Sequence, residues 1–298
     1  MENSNNTNQP VHKSLKTSMI IALLIGALAV VTVNIFGIEA HSLGIDRWTN
    51  QAIQGILLSG IVVTGIWLLR KRDNFTPGDI GHQTRPKAAK KFLLGMALII
   101  VPLSITITMA FITGWGGLKI NSSGPVLSTM LFAFVLTFLT DALPEELLFR
   151  GYIYTNLNRR YSKIKSSLIT ILLFSCLPVV SMLIQKQLLG YEVSIGGANT
   201  ITPSYIITLI FFGAFVIYLR ILTRSLWTGV GFHLVFVFMN QLMGPSESNL
   251  LQFTSVEGEQ ALQLTLMGLI LTIFIGLLIY PRLTKQPIGW KERLAQPL

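Results

Sequence analysis

The stretch VLSTMLFAFVLTFLTDALPEELLFRGY, Val126 to Tyr152, joins a strongly apolar run to three carboxylates and an arginine. The apolar part is long enough to cross a bilayer, since a transmembrane helix needs about 20 mostly apolar residues. An ionisable side chain inside a membrane helix costs about 2.5 kcal/mol or more on insertion scales, so it is by default a functional candidate. The stretch therefore predicts a membrane helix that contains functional residues.

The whole chain has the composition of a membrane protein. Of its 298 residues, 51% are hydrophobic and 12% are charged, and the mean hydropathy is +0.60. Soluble domains carry about 25% charged residues. The net charge of +10 would indicate nucleic-acid binding only if the basic residues gathered on one face, and they are instead spread over short segments between apolar runs. We therefore predict an all-α, polytopic membrane helix bundle that interacts with the lipid bilayer and with no nucleic acid.

Eight apolar runs are long enough to be membrane-spanning helices. They predict a membrane domain over residues 18–285, preceded by a disordered cytoplasmic tail at 1–17 and followed by a second cytoplasmic tail at 286–298. The predicted runs are Met19 to Ile38, Ile53 to Leu69, Phe92 to Trp115, Val126 to Leu143, Leu168 to Leu189, Tyr205 to Leu222, Leu226 to Met243 and Leu262 to Tyr280.

The distribution of lysine and arginine predicts the orientation. With the amino terminus inside, nineteen of these residues fall in inner segments and only Arg47, Lys119 and Lys186 fall in outer ones. Because basic residues concentrate in cytoplasmic loops, this favours eight spans in the cell membrane with both termini in the cytoplasm. Glu145 then lies about 20 Å of helix above the inner basic loop, and His233 about two turns above the same surface. The two residues can share a depth.

The charged residues of the opening stretch allow more than one interpretation. Glu146 and Arg150 are spaced i, i+4 and could neutralise each other on one helix face. Asp141 could cap a helix that begins near Pro144. Glu145 has no cationic neighbour at helical spacing, which favours its use as a general base.

EELLFRG, Glu145 to Gly151, resembles EExxxR, the first motif of the CPBP family. This family contains intramembrane proteases, among them CAAX prenyl endopeptidases and bacteriocin-processing or self-immunity (Abi) proteins. SLWTGVGFH, Ser225 to His233, is similar to the family's later helix that ends in a histidine. The resemblance covers roughly Val126 to Met243.

The resemblance implies a glutamate-type hydrolase that cuts peptide bonds of a peptide or membrane-protein substrate from the cytoplasmic side. Glu145 would activate water and Glu146 would assist it. Arg150 would hold the acidic pair, while histidines and an asparagine would orient water and stabilise the oxyanion. The candidate catalytic residues are therefore Glu145, Glu146, Arg150 and His233.

The chain departs from the family pattern at two positions. The second motif, FxxxH, corresponds to FSCLP, where Pro178 occupies the histidine position. The last motif, HxxxN, has Val237 at the asparagine position, and Asn240 lies about 10 Å along the helix from His233. Two functions therefore remain open: an endopeptidase, with bacteriocin processing or self-immunity as its context, or a catalytically impaired member that binds a peptide as an immunity or scaffold protein. A transporter finds no support in internal repeats.

The sequence predicts no metal and no cofactor. A catalytic zinc site needs three protein ligands and an open position, and the visible candidates are only Glu145, Glu146 and His233. No HExxH pattern occurs, and the single cysteine, Cys176, excludes an intramolecular disulfide.

Overall fold

The computed structural model of the protein describes residues 9–114, 116–120, 125–188, 190, 202–243, 251–255, 259–285 and 288–294. These residues form eight helices and one small sheet, when consecutive α-helical and π-helical segments are counted together. The helices are α1 (Gln9–Ser42), α2 (Arg47–Arg72), α3 (Arg85–Thr113), α4 (Val126–Arg160), α5 (Lys163–Leu183, continued by a π-helical turn at Ile184–Leu188), α6 (Pro203–Thr223), α7 (Leu226–Met243) and α8 (Glu259–Leu283).

The helices confirm a multi-pass membrane protein. Helices α1 to α6 are each long and apolar enough to cross a bilayer, while α7 and α8 contain the shorter apolar segments Leu226–Leu242 and Gly268–Leu283. Each of the eight predicted runs overlaps one helix. The predicted all-α bundle is therefore confirmed. Helix α1 begins at Gln9, inside the predicted tail, and residues 1–8 lie outside the described residues.

A short antiparallel sheet was not expected from the sequence. Strand β1, Gly116–Ile120, pairs with strand β2, Leu251–Ser255, and Leu118 is the partner of Phe253 at its centre. Both strands follow the ends of helices, β1 after α3 and β2 after α7. The sheet therefore joins two connecting segments rather than forming a layer of the bundle.

Helix α2 shows how local sequence sets the helix ends. The carboxylate of Asp46 accepts hydrogen bonds from the backbone N–H groups of Trp48 and Thr49, both at 3.0 Å. This N-cap satisfies amides that have no partner inside the helix. The last turn carries Arg70, Lys71 and Arg72, where positive charge interacts favourably with the helix dipole.

The chain forms two compact units. The boundary between them falls within α4, between Ala142 and Leu143, and nearly all of α7 belongs to the second unit. The first unit comprises Met1–Gln83, Leu143–Leu226 and Gly289–Leu298, and the second comprises Thr84–Ala142 and Trp227–Ile288.

A buried polar network in the first unit fixes the end of α4. Asp73 accepts hydrogen bonds from the hydroxyls of Ser18, at 2.8 Å, and of Tyr152. Arg159 donates to the backbone carbonyl of Asp73 at 2.9 Å, and its guanidinium lies 3.7 Å from the ring centroid of Phe75. All five side chains are buried. The network therefore ties the segment after α2 to α1 and α4.

Within the first unit, the C-terminal segment contacts the start of α5. The first-turn amides of α5, at Lys163 and Ile164, donate to the carbonyls of Glu292 and Trp290, at 3.1 and 3.3 Å. The Lys163 ammonium lies 2.6 Å from the Glu292 carboxylate, and this hydrogen bond holds the pKa of Glu292 below its ordinary value. Residues of the predicted second tail thus accept hydrogen bonds from backbone N–H groups that have no partner inside α5.

Helices α3 and α7 are in backbone contact within the second unit. A Cβ added at Gly95 would overlap the carbonyl oxygen of Thr228 and lie 2.8 Å from the amide nitrogen of Phe232. A Cβ added at Gly231 would overlap the carbonyl oxygen of Phe92. Small residues at both positions let the two helices approach closely, as is typical of membrane helix pairs.

We expect Gly95→Ala to destabilise the folded protein by about 1–3 kcal/mol, the usual cost of overpacking. The added methyl group meets backbone atoms of α7, which cannot move aside as a flexible side chain does. Denaturant titration in detergent micelles measures the change. Gly268→Ala on α8 is the matched control, because nothing lies within 4 Å of its added Cβ. Equal stability of the two variants would contradict the close α3 and α7 contact.

Candidate functional site

The candidate site residues of the opening stretch lie where α4 departs from regular α-helical geometry. Its segments Phe138–Ala142 and Glu146–Ile153 are π-helical, and the three residues Leu143–Glu145 separate them. Pro144 has no N–H to donate to the preceding turn, which accounts for an interruption here. Single π-helical turns inside membrane or soluble helices are frequent at functional sites. The irregular region therefore coincides with Asp141, Glu145 and Glu146.

Glu146 and Arg150 form a buried ion pair. Arg150 Nη1 lies 3.0 Å from Glu146 Oε1, and the two side chains are 1% and 0% exposed. The Arg150 guanidinium also lies 4.1 Å from the ring centroid of Phe174 on α5 and 5.9 Å from that of Phe212 on α6. The predicted i, i+4 pairing is present, and two aromatic faces add cation–π stabilisation to it.

Arg150 also interacts with a second carboxylate. Glu145, which is half-buried, interacts electrostatically with Arg150. Arg150 stands five residues after Glu145, outside the three- and four-residue spacings that the sequence-based statement covered. The π-helical geometry of this segment, whose hydrogen bonds join residues five apart, accounts for the interaction. One arginine thus interacts with both members of the acidic pair.

His233 lies in the second unit, on α7, where it is 3% exposed. Asp141 is half-buried on α4 and accepts a hydrogen bond from the Thr140 hydroxyl. The interpretation of Asp141 as a helix cap is wrong, because Asp141 stands inside a continuous helix and no helix begins at Pro144. Glu145 belongs to the first unit and His233 to the second. Their common depth in the membrane stays a prediction.

The two residues that depart from the family pattern, Pro178 and Val237, lie on different helices. Pro178 lies inside α5 and Val237 lies on α7, both half-buried. Asn240 is exposed, and its side-chain amide donates to the carbonyl of Phe236 at 2.8 Å. One N–H of this amide is therefore used within its own helix.

The described residues hold no group of three or more histidine, cysteine or acidic side chains able to bind a metal ion. The sequence-based reasoning missed the placement of the Arg150 guanidinium over the rings of Phe174 and Phe212.

Comparison with known proteins identifies part of the chain. Residues 127–239 match the family model described as Rce1-like, type II CAAX prenyl endopeptidase. The matched segment contains EELLFRG and His233, so the predicted resemblance to the CPBP family is confirmed. No curated protein and no solved structure matches the chain significantly.

Proposed function

We propose that this chain, whose residues 127–239 match the Rce1-like family model, hydrolyses peptide bonds inside the membrane. At the level of the family, the match supports a CAAX protease-type intramembrane endopeptidase. The single observation that carries the proposal is the placement of Glu145 and the buried Glu146–Arg150 pair in the irregular part of a membrane helix. A buried ion pair of this kind is costly to build, and it is expected where function requires it.

In the proposed mechanism Glu145 is the general base. It takes a proton from water as the water oxygen attacks the peptide carbonyl, and it returns the proton to the leaving amine. Glu146 assists Glu145, and Arg150 holds the acidic pair in place, because it interacts with both carboxylates. His233 donates a hydrogen bond to the oxyanion. General base catalysis contributes about 100- to 10,000-fold in rate, and one oxyanion donor about 100- to 1000-fold.

The proposed substrate is a membrane-embedded or membrane-delivered peptide that enters from the cytoplasmic side. The proposed orientation places the chain in the cell membrane with both termini in the cytoplasm. The basic last turn of α2, with Arg70, Lys71 and Arg72, and Arg282 in the last turn of α8 support this orientation. Processing of a bacteriocin, or self-immunity against one, is the proposed biological context.

A second candidate function is peptide binding without efficient cleavage, as an immunity or scaffold protein. Pro178 and Val237 favour it, because they stand where the family pattern has a histidine and an asparagine. Loss of two such donors removes most of the stabilisation of the oxyanion. Retention of Glu145, Glu146, Arg150 and His233 favours the endopeptidase.

Restoring the family pattern distinguishes the two functions. We expect Pro178→His combined with Val237→Asn to raise peptide cleavage about 100-fold or more over the native rate, since each change returns a hydrogen-bond donor. Initial rates are measured on a fluorogenic peptide library with the protein in lipid nanodiscs. Val180→His, at an exposed position of the same helix as Pro178, is the control and is expected to leave the rate unchanged. A native rate equal to that of the restored protein would show that Pro178 and Val237 do not impair the enzyme.

A further inference from the structure

The π-helical segment of α4 that carries Glu146 and Arg150 is enclosed by the first unit. Of its eight residues, all but Leu147 are buried. On one side, the Arg150 guanidinium lies over the rings of Phe174 on α5 and Phe212 on α6. A π-helical turn is rare and occurs mostly as a short interruption of an α-helix, so contacts with its surroundings must hold it. The placement of Glu146 and Arg150 therefore depends on what the segment packs against.

Tyr152 anchors the other side of this segment. Residues two apart lie on nearly opposite faces of a helix, so Tyr152 lies away from the face that Arg150 occupies. Its hydroxyl donates to Oδ2 of Asp73, and its ring meets that of Phe75 edge to face with centroids 5.7 Å apart. The side chain is fully buried. Contacts on two opposite faces fix the rotation of the segment about its axis.

Asp73 is itself held in place by three helices of the first unit. Its backbone N–H donates to the carbonyl of Leu69 at 3.0 Å, at the end of α2, and its own carbonyl accepts from Arg159 on α4 at 2.9 Å. Its other carboxylate oxygen, Oδ1, accepts from the hydroxyl of Ser18 on α1 at 2.8 Å. Both carboxylate oxygens thus accept a hydrogen bond, and the Tyr152 hydroxyl is bonded to a fixed point.

Two further contacts limit the movement of the segment without selecting its rotation. A Cβ added at Gly26 of α1 would lie 2.5 Å from Cδ2 of Leu148, and a Cβ added at Gly151 would lie 3.5 Å from the carbonyl oxygen of Ile80. Apolar and backbone contacts of this kind restrict distance, whereas a hydrogen bond also restricts angle. The hydrogen bond that Asp73 accepts therefore sets the orientation of the segment more precisely than they do.

We propose that Asp73 is a positioning residue of the candidate site, which acts through Tyr152 to hold the π-helical segment in the orientation that Glu146 and Arg150 require. The inference rests on the proposed function for its catalytic consequence and on these hydrogen bonds for its structural part. Asp73 lies at the end of α2, outside the matched residues 127–239. It does not touch the reacting atoms, but a displacement of about 1 Å caused far from the chemistry can lower a rate about 100-fold.

The test follows the Arg150 guanidinium by NMR in the full-length protein, with ¹⁵N-labelled arginine, in lipid nanodiscs. The ring of Phe174, 4.1 Å away, displaces the Arg150 signals, so a rotation of the segment changes them. Arg150→Lys identifies these signals among those of the other arginines. In the Glu145→Gln background, which needs no activity, Tyr152→Phe is expected to move the Arg150 signals, because it removes the hydroxyl and keeps the ring.

Two comparisons make this result specific to Asp73. Asp73→Asn is expected to move the Arg150 signals in the same direction, and its combination with Tyr152→Phe is expected to move them no further than Tyr152→Phe alone, because both changes weaken one contact. Ser18→Ala is the matched control, since it removes the hydrogen bond to the other oxygen of the same carboxylate. It is expected to leave the Arg150 signals in place. Additive shifts, or an equal shift in Ser18→Ala, would overturn the inference.

Activity gives a second readout. In the native background, Tyr152→Phe is expected to lower kcat for peptide cleavage about 100-fold with KM unchanged. Arg150 signals that stay in place in Tyr152→Phe would overturn the inference whether or not any peptide is cleaved, and so would displaced signals with a native kcat. Displaced signals in a protein that cleaves no peptide would support the structural part of the inference and reject the proposed endopeptidase.

Discussion

Glu145→Gln is expected to lower kcat for peptide cleavage about 100- to 10,000-fold, which is the range that general base catalysis contributes. The amide has nearly the same size as the carboxylate and cannot accept the proton of the attacking water. The folded structure is expected to remain, because the buried Glu146–Arg150 ion pair stays intact. Initial rates on a fluorogenic peptide measure the loss, and circular dichroism in the same detergent measures helix content.

Glu39→Gln provides the matched control for this loss. Glu39 is an exposed residue of α1, so the same chemical change is made away from α4. We expect this variant to cleave at the native rate. If Glu145→Gln also retains the native rate, Glu145 has no part in the mechanism.

Arg150→Met is expected to destabilise the protein by about 3–5 kcal/mol, the usual cost of breaking a buried ion pair by removing one partner. Glu146 would then be left buried, at 0% exposure, without the guanidinium 3.0 Å away. Arg150→Lys is expected to lose part of this stability, because an ammonium keeps the charge but lacks the planar group that stacks on Phe174. Titration with denaturing detergent measures the free energy of unfolding of each variant.

Two further variants make the result specific to the pair. Glu146→Leu combined with Arg150→Met is expected to recover most of the lost stability, because no uncompensated charge remains in the interior. Arg72→Met, at an exposed site on α2, is expected to change the stability by less than about 0.5 kcal/mol. A double variant as unstable as Arg150→Met alone would contradict the paired role of Glu146 and Arg150.

The helices were predictable because hydropathy alone identifies membrane spans. At α4 the apolar run ends at Leu143 and the helix continues to Arg160, as the predicted position of Glu145 about 20 Å of helix above the inner basic loop requires. Glu146 and Arg150, which follow the apolar run, form an ion pair within the continuing helix. The β1 and β2 pairing was not predictable, since it joins segments far apart in the sequence.

The sequence identified the residues of the candidate site, but it predicted only some of the contacts that they make. The i, i+4 spacing of Glu146 and Arg150 correctly indicated their ion pair. The same α-helical rule does not cover Glu145, because Arg150 stands five residues away from it in a segment of π-helical geometry. No single-sequence pattern distinguishes a π-helical turn from an α-helical one. The packing of α7, which carries His233, against α3 and α4 likewise depends on segments that are far apart in the sequence, which local spacing does not encode.

The most direct test of the account asks whether the native protein hydrolyses an internal peptide bond at all. Purified native protein in lipid nanodiscs is incubated in H₂¹⁸O with a peptide library that includes members carrying a prenyl group. The products are then identified by mass spectrometry. The account predicts paired fragments from internal bonds, with ¹⁸O in each new carboxyl group. Peptides that remain intact while bound to the protein would contradict the endopeptidase and favour a binding protein on the same scaffold.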